Sequence, residues 1–311
     1  MNRFIYSDDN KRYHTLYYHN LHTYGGRVFK AAIDAGFSCP NIDGSKGRGG
    51  CVFCAGGSGY FTDGALPVAE QFRREEKRIR VKYPTAKIIA YLQAHTNTYA
   101  PLSELERVYT ELINAGAAGL AVATRADCIS VETVRLLASL RVPVTVELGL
   151  QTVHNSTAEK INRCHSYEDF LAGYSLLHGQ VRVCVHIING LPDENSEMML
   201  ETARQLGGLR PDGIKIHLLH VIRGTPLHKI YESGGYTPMT KEQYIDTVVR
   251  QLELIPAKTV IERITGDGDR ASLAAPLWST DKISVLGGID KRQRELETWQ
   301  GKYYDRDKQR T

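Results

Sequence analysis

The chain has 311 residues, 42% of them hydrophobic and 24% charged, with a net charge of +4; this is the make-up of one large globular core and excludes a disordered or fibrous chain. Its apolar runs are too short to cross a bilayer, and the opening MNRFIYSDDNKRYHTLYYHN lacks the apolar stretch and small-residue cleavage site of a secretory leader, so no membrane contact and a cytoplasmic location are expected. In such a chain six cysteines point to metal binding rather than to three disulfides.

Along the chain, short β-branched runs at 28–33, 87–92, 119–123, 144–148, 181–188 and 213–218 alternate with segments carrying apolar residues at helical spacing, 102–115, 131–139 and 196–207. Such repeated βα units predict a parallel sheet, and six of them are too few to close an eight-stranded barrel. Ser130 stands where the N-cap of the second of those helices belongs. In parallel barrels the functional groups gather at the carboxyl ends of the strands, which here are 39–54, 93–98, 124–127, 149–151, 189–192 and 219–224. From residue 231 the rhythm breaks, with Gly234, Gly235 and Pro238, an amphipathic helix over 241–254 and a basic segment from Lys291. The expected division is therefore a core over 1–230, with a basic and aromatic N-terminal segment, and an extension over 231–311 packed on it.

The glycine-studded loop CPNIDGSKGRGGCVFC holds Cys39, Cys51 and Cys54. Three thiolates bind three irons of a [4Fe-4S] cluster and leave the fourth open. Val52 and Phe53 would shield one cluster face, and Gly44, Gly47, Gly49 and Gly50 would let backbone approach sulfide. Zinc competes, because C-x2-C is also half of a zinc knuckle. The loop's place just past the first strand of a βα series favours the cluster. Cys128, Cys164 and Cys184 are too scattered for a second cluster and read as small buried residues.

Together with AYLQAHTNTYAP, ATRADC, VELGLQTVHNSTAEKINRCH, VHIINGLP, GIKIHLLHVIRGTP and ERITGDG, this loop resembles the radical S-adenosylmethionine (SAM) superfamily and, within it, the YhcC/YtqA-type family related to the elongator catalytic subunit. The resemblance implies an α/β fold, a partial (β/α)6 TIM-type barrel with a C-terminal extension, and two cofactors, a [4Fe-4S] cluster on Cys39, Cys51 and Cys54 and SAM on its open iron. It implies that Thr96 and Asn97 meet the SAM amino group, that Glu147 and Gln151 make polar contacts to SAM, and that Arg163 holds the methionine carboxylate. By the same resemblance His186 stands at a ribose-binding position and Gly190 lets backbone pass close to adenine. Bland alternatives stand beside these roles: turn residues for Thr96 and Asn97, an ion pair with Arg125 for Glu147, a surface cation for Arg163 and a core histidine for His186. One departure is that the family's T-R-P-D-C has become Thr124-Arg125-Ala126-Asp127-Cys128, which removes a rigid turn near Arg125 and Asp127.

For the substrate, likeness to the elongator subunit implies tRNA and a change at carbon 5 of the wobble uridine, 5-carboxymethylaminomethyluridine to aminomethyluridine, with electrons from a donor such as flavodoxin or ferredoxin. KRYHTLYYHN interleaves basic and aromatic residues as RNA-stacking segments do. The tail adds Lys291, Arg292, Arg294, Lys302, Arg306, Lys308 and Arg310, which also read as a solvated surface. Lys215, His217, His220, Arg223 and Arg263 are expected at the barrel mouth as substrate contacts, and Trp278 either stacks on substrate or caps the barrel. The alternatives are a radical SAM enzyme for a small metabolite or tetrapyrrole, and a non-catalytic metal-bearing RNA-binding module.

Overall fold

Alternation along the strands decides the architecture. In the computed structural model, which describes residues 4–55, 62–266 and 270–304, the strands are β1 (Val28–Ile33), β2 (Lys87–Leu92), β3 (Leu120–Arg125), β4 (Val144–Gln151), β5 (Arg182–Asn189), β6 (Gly213–Leu218), β7 (Val221–Ile222), β8 (Val260–Arg263) and β9 (Leu273–Ala275). One sheet runs β1-β2-β3-β4-β5-β6-β8, every pair parallel. It curls into a partial TIM barrel clad by helices. The six expected strands are in place, and β8, a seventh, comes from the stretch expected as an extension. β7 and β9 form a separate antiparallel ribbon.

Every second strand residue is apolar and buried: Ile33, Leu92, Val122, Val146, Leu148, Val185, Ile187 and Ile216 belong to one continuous core with the helices. Each such side chain contributes about 1.5–3 kcal/mol through burial, so a one-residue slip in register is excluded. The helices arise where the periodicity places them, at Leu102–Asn114, Val131–Ser139, Ser196–Leu209 and Lys241–Leu254. Ser130 accepts from the Thr133 N–H as the expected N-cap.

The free edge of β8 is covered by the N-terminal segment. Thr15 bridges to Ile261, and the Ile261 N–H donates to the His14 carbonyl at 2.7 Å. The Gln300 side chain accepts from the His14 N–H at 2.8 Å, while its own N–H donates to the Arg12 carbonyl at 2.9 Å. Helix Leu16–Tyr24 then crosses to β8. The expectation that KRYHTLYYHN is an RNA-stacking surface is corrected in part: Tyr13 and His14 are buried, because this segment finishes a sheet edge. Tyr17 remains exposed. Among the described residues no helix is long and apolar enough to cross a membrane.

Candidate active site

The cysteine loop is docked onto the residues that follow β4. The Val52 N–H donates to the Ile161 carbonyl at 3.0 Å, and the Leu227 N–H donates to that of Val52 at 2.9 Å. The Asn162 side-chain amide donates to the carbonyls of Gly50 at 2.7 Å and Arg48 at 3.1 Å, and the buried Asn41 amide reaches back to the Asn162 carbonyl at 2.5 Å. Gly47 is required here, since a Cβ would lie 2.2 Å from Asn41 Oδ1 and 2.6 Å from Cys164 Sγ. Val52 and Phe53 pack on a small satellite core with Ile161, Leu191 and Leu227.

Arg125 and Asp127 complete this clamp despite the missing proline. Arg125 donates to Asp127 through Nε and Nη2, both at 2.9 Å, and through Nη1 to the Arg163 carbonyl at 2.8 Å. Lys46 of the cysteine loop meets the same carboxylate at 2.7 Å. Burial opposes ionisation of Asp127, but the Arg125 and Lys46 contacts hold its carboxyl below the ordinary value.

Cys39 and Cys54 each lie within electrostatic reach of Cys51. Burial first, then the neighbouring Cys54 and, more weakly, Cys39, push the Cys51 thiol up to about 12, with Arg125 pulling the other way. Metal loading therefore displaces a proton from it. Among the described residues no three His, Cys, Asp or Glu side chains converge on a single-ion position; a four-iron cluster spreads its thiolates over separate irons and needs no such convergence. Beside the loop, Arg163 is buried to 1% exposure. It donates through Nε to the His165 carbonyl at 3.0 Å and through Nη1 to that of Thr152 at 2.7 Å, while its Nη2 has no partner. An orphaned buried guanidinium nitrogen is a costly group that an anionic ligand would satisfy. Three thiols and this open donor fit a cluster with a carboxylate-bearing ligand.

The other expected SAM contacts are placed as follows. Asn97 is fully buried and gives its amide to the carbonyls of Leu92, Ala94 and Ala123, which ties the ends of β2 and β3 together and leaves Oδ1 open. Thr96 is buried next to it. Gln151, at φ 63°, ends β4 after a register shift, and its amide lies where a Cβ on Gly149 would be, 2.6 Å away. Gly190 has φ 81°, and Met239 closes on it so that a Cβ would meet sulfur at 3.1 Å.

Glu147 does not pair with Arg125. It faces into the barrel and receives Lys215 at 2.5 Å and, also, Lys30, with the Tyr91 hydroxyl donating at 2.7 Å. Burial alone would raise its pKa, but Lys215 and Lys30 hold the carboxyl well below the ordinary range. Lys30 bridges onward to Glu262 at 3.3 Å, which also binds Arg182. Lys30, Tyr91, Arg182 and Glu262 were not foreseeable as partners from sequence distance, yet Lys30 and Tyr91 are polar intrusions in the apolar strands VFKAAI and KIIAYL. His186 Nε2 lies 2.9 Å from Glu147 but off the line of a hydrogen bond; burial, then Lys215, keeps this imidazole below its usual pKa.

Of the expected substrate contacts, Lys215 and His217 line the barrel interior, their rows adjoining His186 in register. Arg223 lies exposed beside the β7–β9 ribbon. His220 packs over Gly266, and burial with Lys282 nearby lowers its pKa to about 4. Trp278 donates to the Met239 carbonyl at 3.1 Å and packs against Tyr244 at 5.7 Å, which makes it a cap on the helical layer. Arg306, Lys308 and Arg310 lie outside the described residues, as does part of ERITGDG.

The model of the radical SAM superfamily matches residues 43–206, and that of the radical SAM C-terminal domain matches 211–295. The chain belongs to the radical SAM superfamily. It is 45% identical to the uncharacterized protein YtqA of Bacillus subtilis over 98% of this chain and 97% of that protein. It is 25% identical to a tRNA uridine(34) acetyltransferase of Methanocaldococcus jannaschii over 79% of this chain and 52% of that one. In structure it resembles the archaeal Methanocaldococcus infernus Elp3, with a TM-score of 0.63 at 20% identity, over 85% of this chain and 63% of the other. As a radical SAM protein the chain is an enzyme of that superfamily, and the shared half-barrel is the fold on which it is built.

Proposed function

We propose that this enzyme reductively cleaves SAM and uses the product radical to remodel the carbon-5 side chain of a tRNA wobble uridine, taking 5-carboxymethylaminomethyluridine toward aminomethyluridine. The observation that carries the reading is the thiol trio docked at the mouth of a parallel half-barrel beside the unpartnered Arg163 Nη2. The tRNA part is supported by similarity to a protein named as acting on tRNA uridine 34.

Cys39, Cys51 and Cys54 would hold a [4Fe-4S] cluster and Arg163 the carboxylate of SAM. When bound, the cluster would supply the electron for reductive cleavage of SAM, and through it the hydrogen-atom abstraction that starts the change in the substrate. Thr96, Asn97 Oδ1 and Gln151 offer acceptors toward the amino group and ribose, and the backbone at Gly190 would pass close to adenine. His186 would be the polar group that meets the ribose. Asn162, Asp127 and Lys46 keep the thiols in place. Glu147, tied to Lys215 and Lys30, sets the polarity of the chamber below. The enzyme works in the cytoplasm with tRNA and a flavodoxin- or ferredoxin-type electron donor as partners.

Two measurements test this. Anaerobically reconstituted protein should form 5′-deoxyadenosine from SAM under reducing conditions, and Cys39→Ala, Cys51→Ala or Cys54→Ala should abolish it. Nucleoside profiling of tRNA from cells lacking the protein should show the carboxymethylaminomethyl form accumulating; an unchanged profile overturns the tRNA assignment.

A further inference from the structure

We propose that the barrel interior above Glu147 is a carboxylate site in which His217, with Lys215 beside it, recognises a carboxylate on the substrate. This rests on the wobble-uridine reading and names the group that is recognised. Three observations carry it.

The first is space. On the inward faces of β1, β3 and β4 the residues are Ala32, Ala123 and Gly149, and all three are only half-buried, whereas the alternate residues of the same strands are sealed in the core. On the facing wall, β5 and β6 present His186 and His217, also half-buried, their rings 5.3 Å apart. An accessible chamber therefore lies between a wall of small residues and a polar wall.

The second is charge. Among the described residues Lys30 and Lys215 pair with Glu147, and Lys30 and Arg182 pair with Glu262. Arg263 stands beside Lys215 in register and within electrostatic reach of His217, so cations outnumber carboxylates among these described residues, which suits an anionic group on the substrate.

The third is unused donors. His217 Nε2 is buried and has no partner. The Lys215 ammonium has three N–H groups and meets Glu147 at 2.5 Å and the Tyr91 hydroxyl at 3.5 Å, so at least one remains for a further acceptor. His217 stands two residues further toward the mouth than Lys215 on β6, the side from which substrate enters.

The test is equilibrium dialysis of the cluster-reconstituted full chain against two nucleosides, 5-carboxymethylaminomethyluridine and 5-aminomethyluridine. The carboxylate nucleoside should bind roughly tenfold or more tightly, as for a charge-assisted hydrogen bond. His217→Leu should bring the ratio to about one, and His217→Gln, which keeps an amide donor, should retain part of it. Equal affinity for the two nucleosides, including no measurable binding of either, overturns the site, as does an unchanged ratio in His217→Leu. If the ratios behave as expected while tRNA from cells lacking the protein keeps its wobble profile, the wobble-uridine reading falls and the carboxylate site stands.

Discussion

Asn162 donates its side-chain amide to the Gly50 carbonyl at 2.7 Å, joining the segment after β4 to the loop that carries all three candidate cluster thiols. Because Asn162 also adopts φ 54°, it serves by backbone and by side chain at once, a combination that asparagine provides better than most residues.

The two contributions separate by substitution. Asn162→Gly keeps the left-handed backbone and loses the amide, while Asn162→Ala loses both. Loss of hydrogen bonds to two loop carbonyls costs about 1–3 kcal/mol, so both variants should bind less iron on reconstitution, the alanine variant least. Iron and sulfide assay checks this, against about four irons per chain expected for the intact protein with one cluster. Wild-type iron content in Asn162→Gly would show that the amide clamp is dispensable.

Glu147 is the shared partner of Lys30, Lys215 and Tyr91. Glu147→Gln leaves two ammonium groups with one buried carboxylate less, and urea unfolding should show a loss of about 3–5 kcal/mol. Lys215→Met in the same chain removes one stranded charge. The double variant should therefore be more stable than the sum of the single losses by about 1–3 kcal/mol.

His165 has 2% side-chain exposure, and neither ring nitrogen has a hydrogen-bond partner. Burial, then Arg163 and Arg125, lowers its pKa from 6.5 to about 4. The fold thus favours the neutral ring: its contribution is fully present above pH 6.5 and is lost as the pH falls toward 4, because the unfolded chain takes up a proton that the folded one refuses. Over that window wild-type stability should fall with a component of up to about 1.4 kcal/mol per pH unit. His165→Phe should remove this component, visible as a flatter dependence of the urea midpoint on pH.

Ala126 occupies the family's proline position. Arg125 before it already has φ −95° and ψ 144°, the region that a following proline demands. Ala126→Pro should therefore raise stability by about 0.4–1 kcal/mol by restricting the unfolded chain, read as an increase in urea midpoint at constant slope.

The strands and main helices were legible because period-two and helical spacing are local signals. β8 was harder, since Val260–Arg263 is four residues long and half charged; only the neighbouring β6 makes it a strand. The cysteine loop announced itself, but what fastens it did not, because Asn162 lies 112 residues from Gly50. Likewise Glu147 is a plausible cofactor contact or partner of Arg125 by sequence, while its real partner Lys30 is 117 residues away. Polar intrusions in apolar strands show that an interior network exists, and only folding shows who pairs with whom.

Residues 12–15 and residue 300 jointly finish the last edge of the sheet. During synthesis, then, that edge is not fully sealed until residue 300 has emerged from the ribosome, and a chain halted earlier offers it to any neighbour able to pair. Iron insertion that waits for the completed edge would act only on chains that have passed that point.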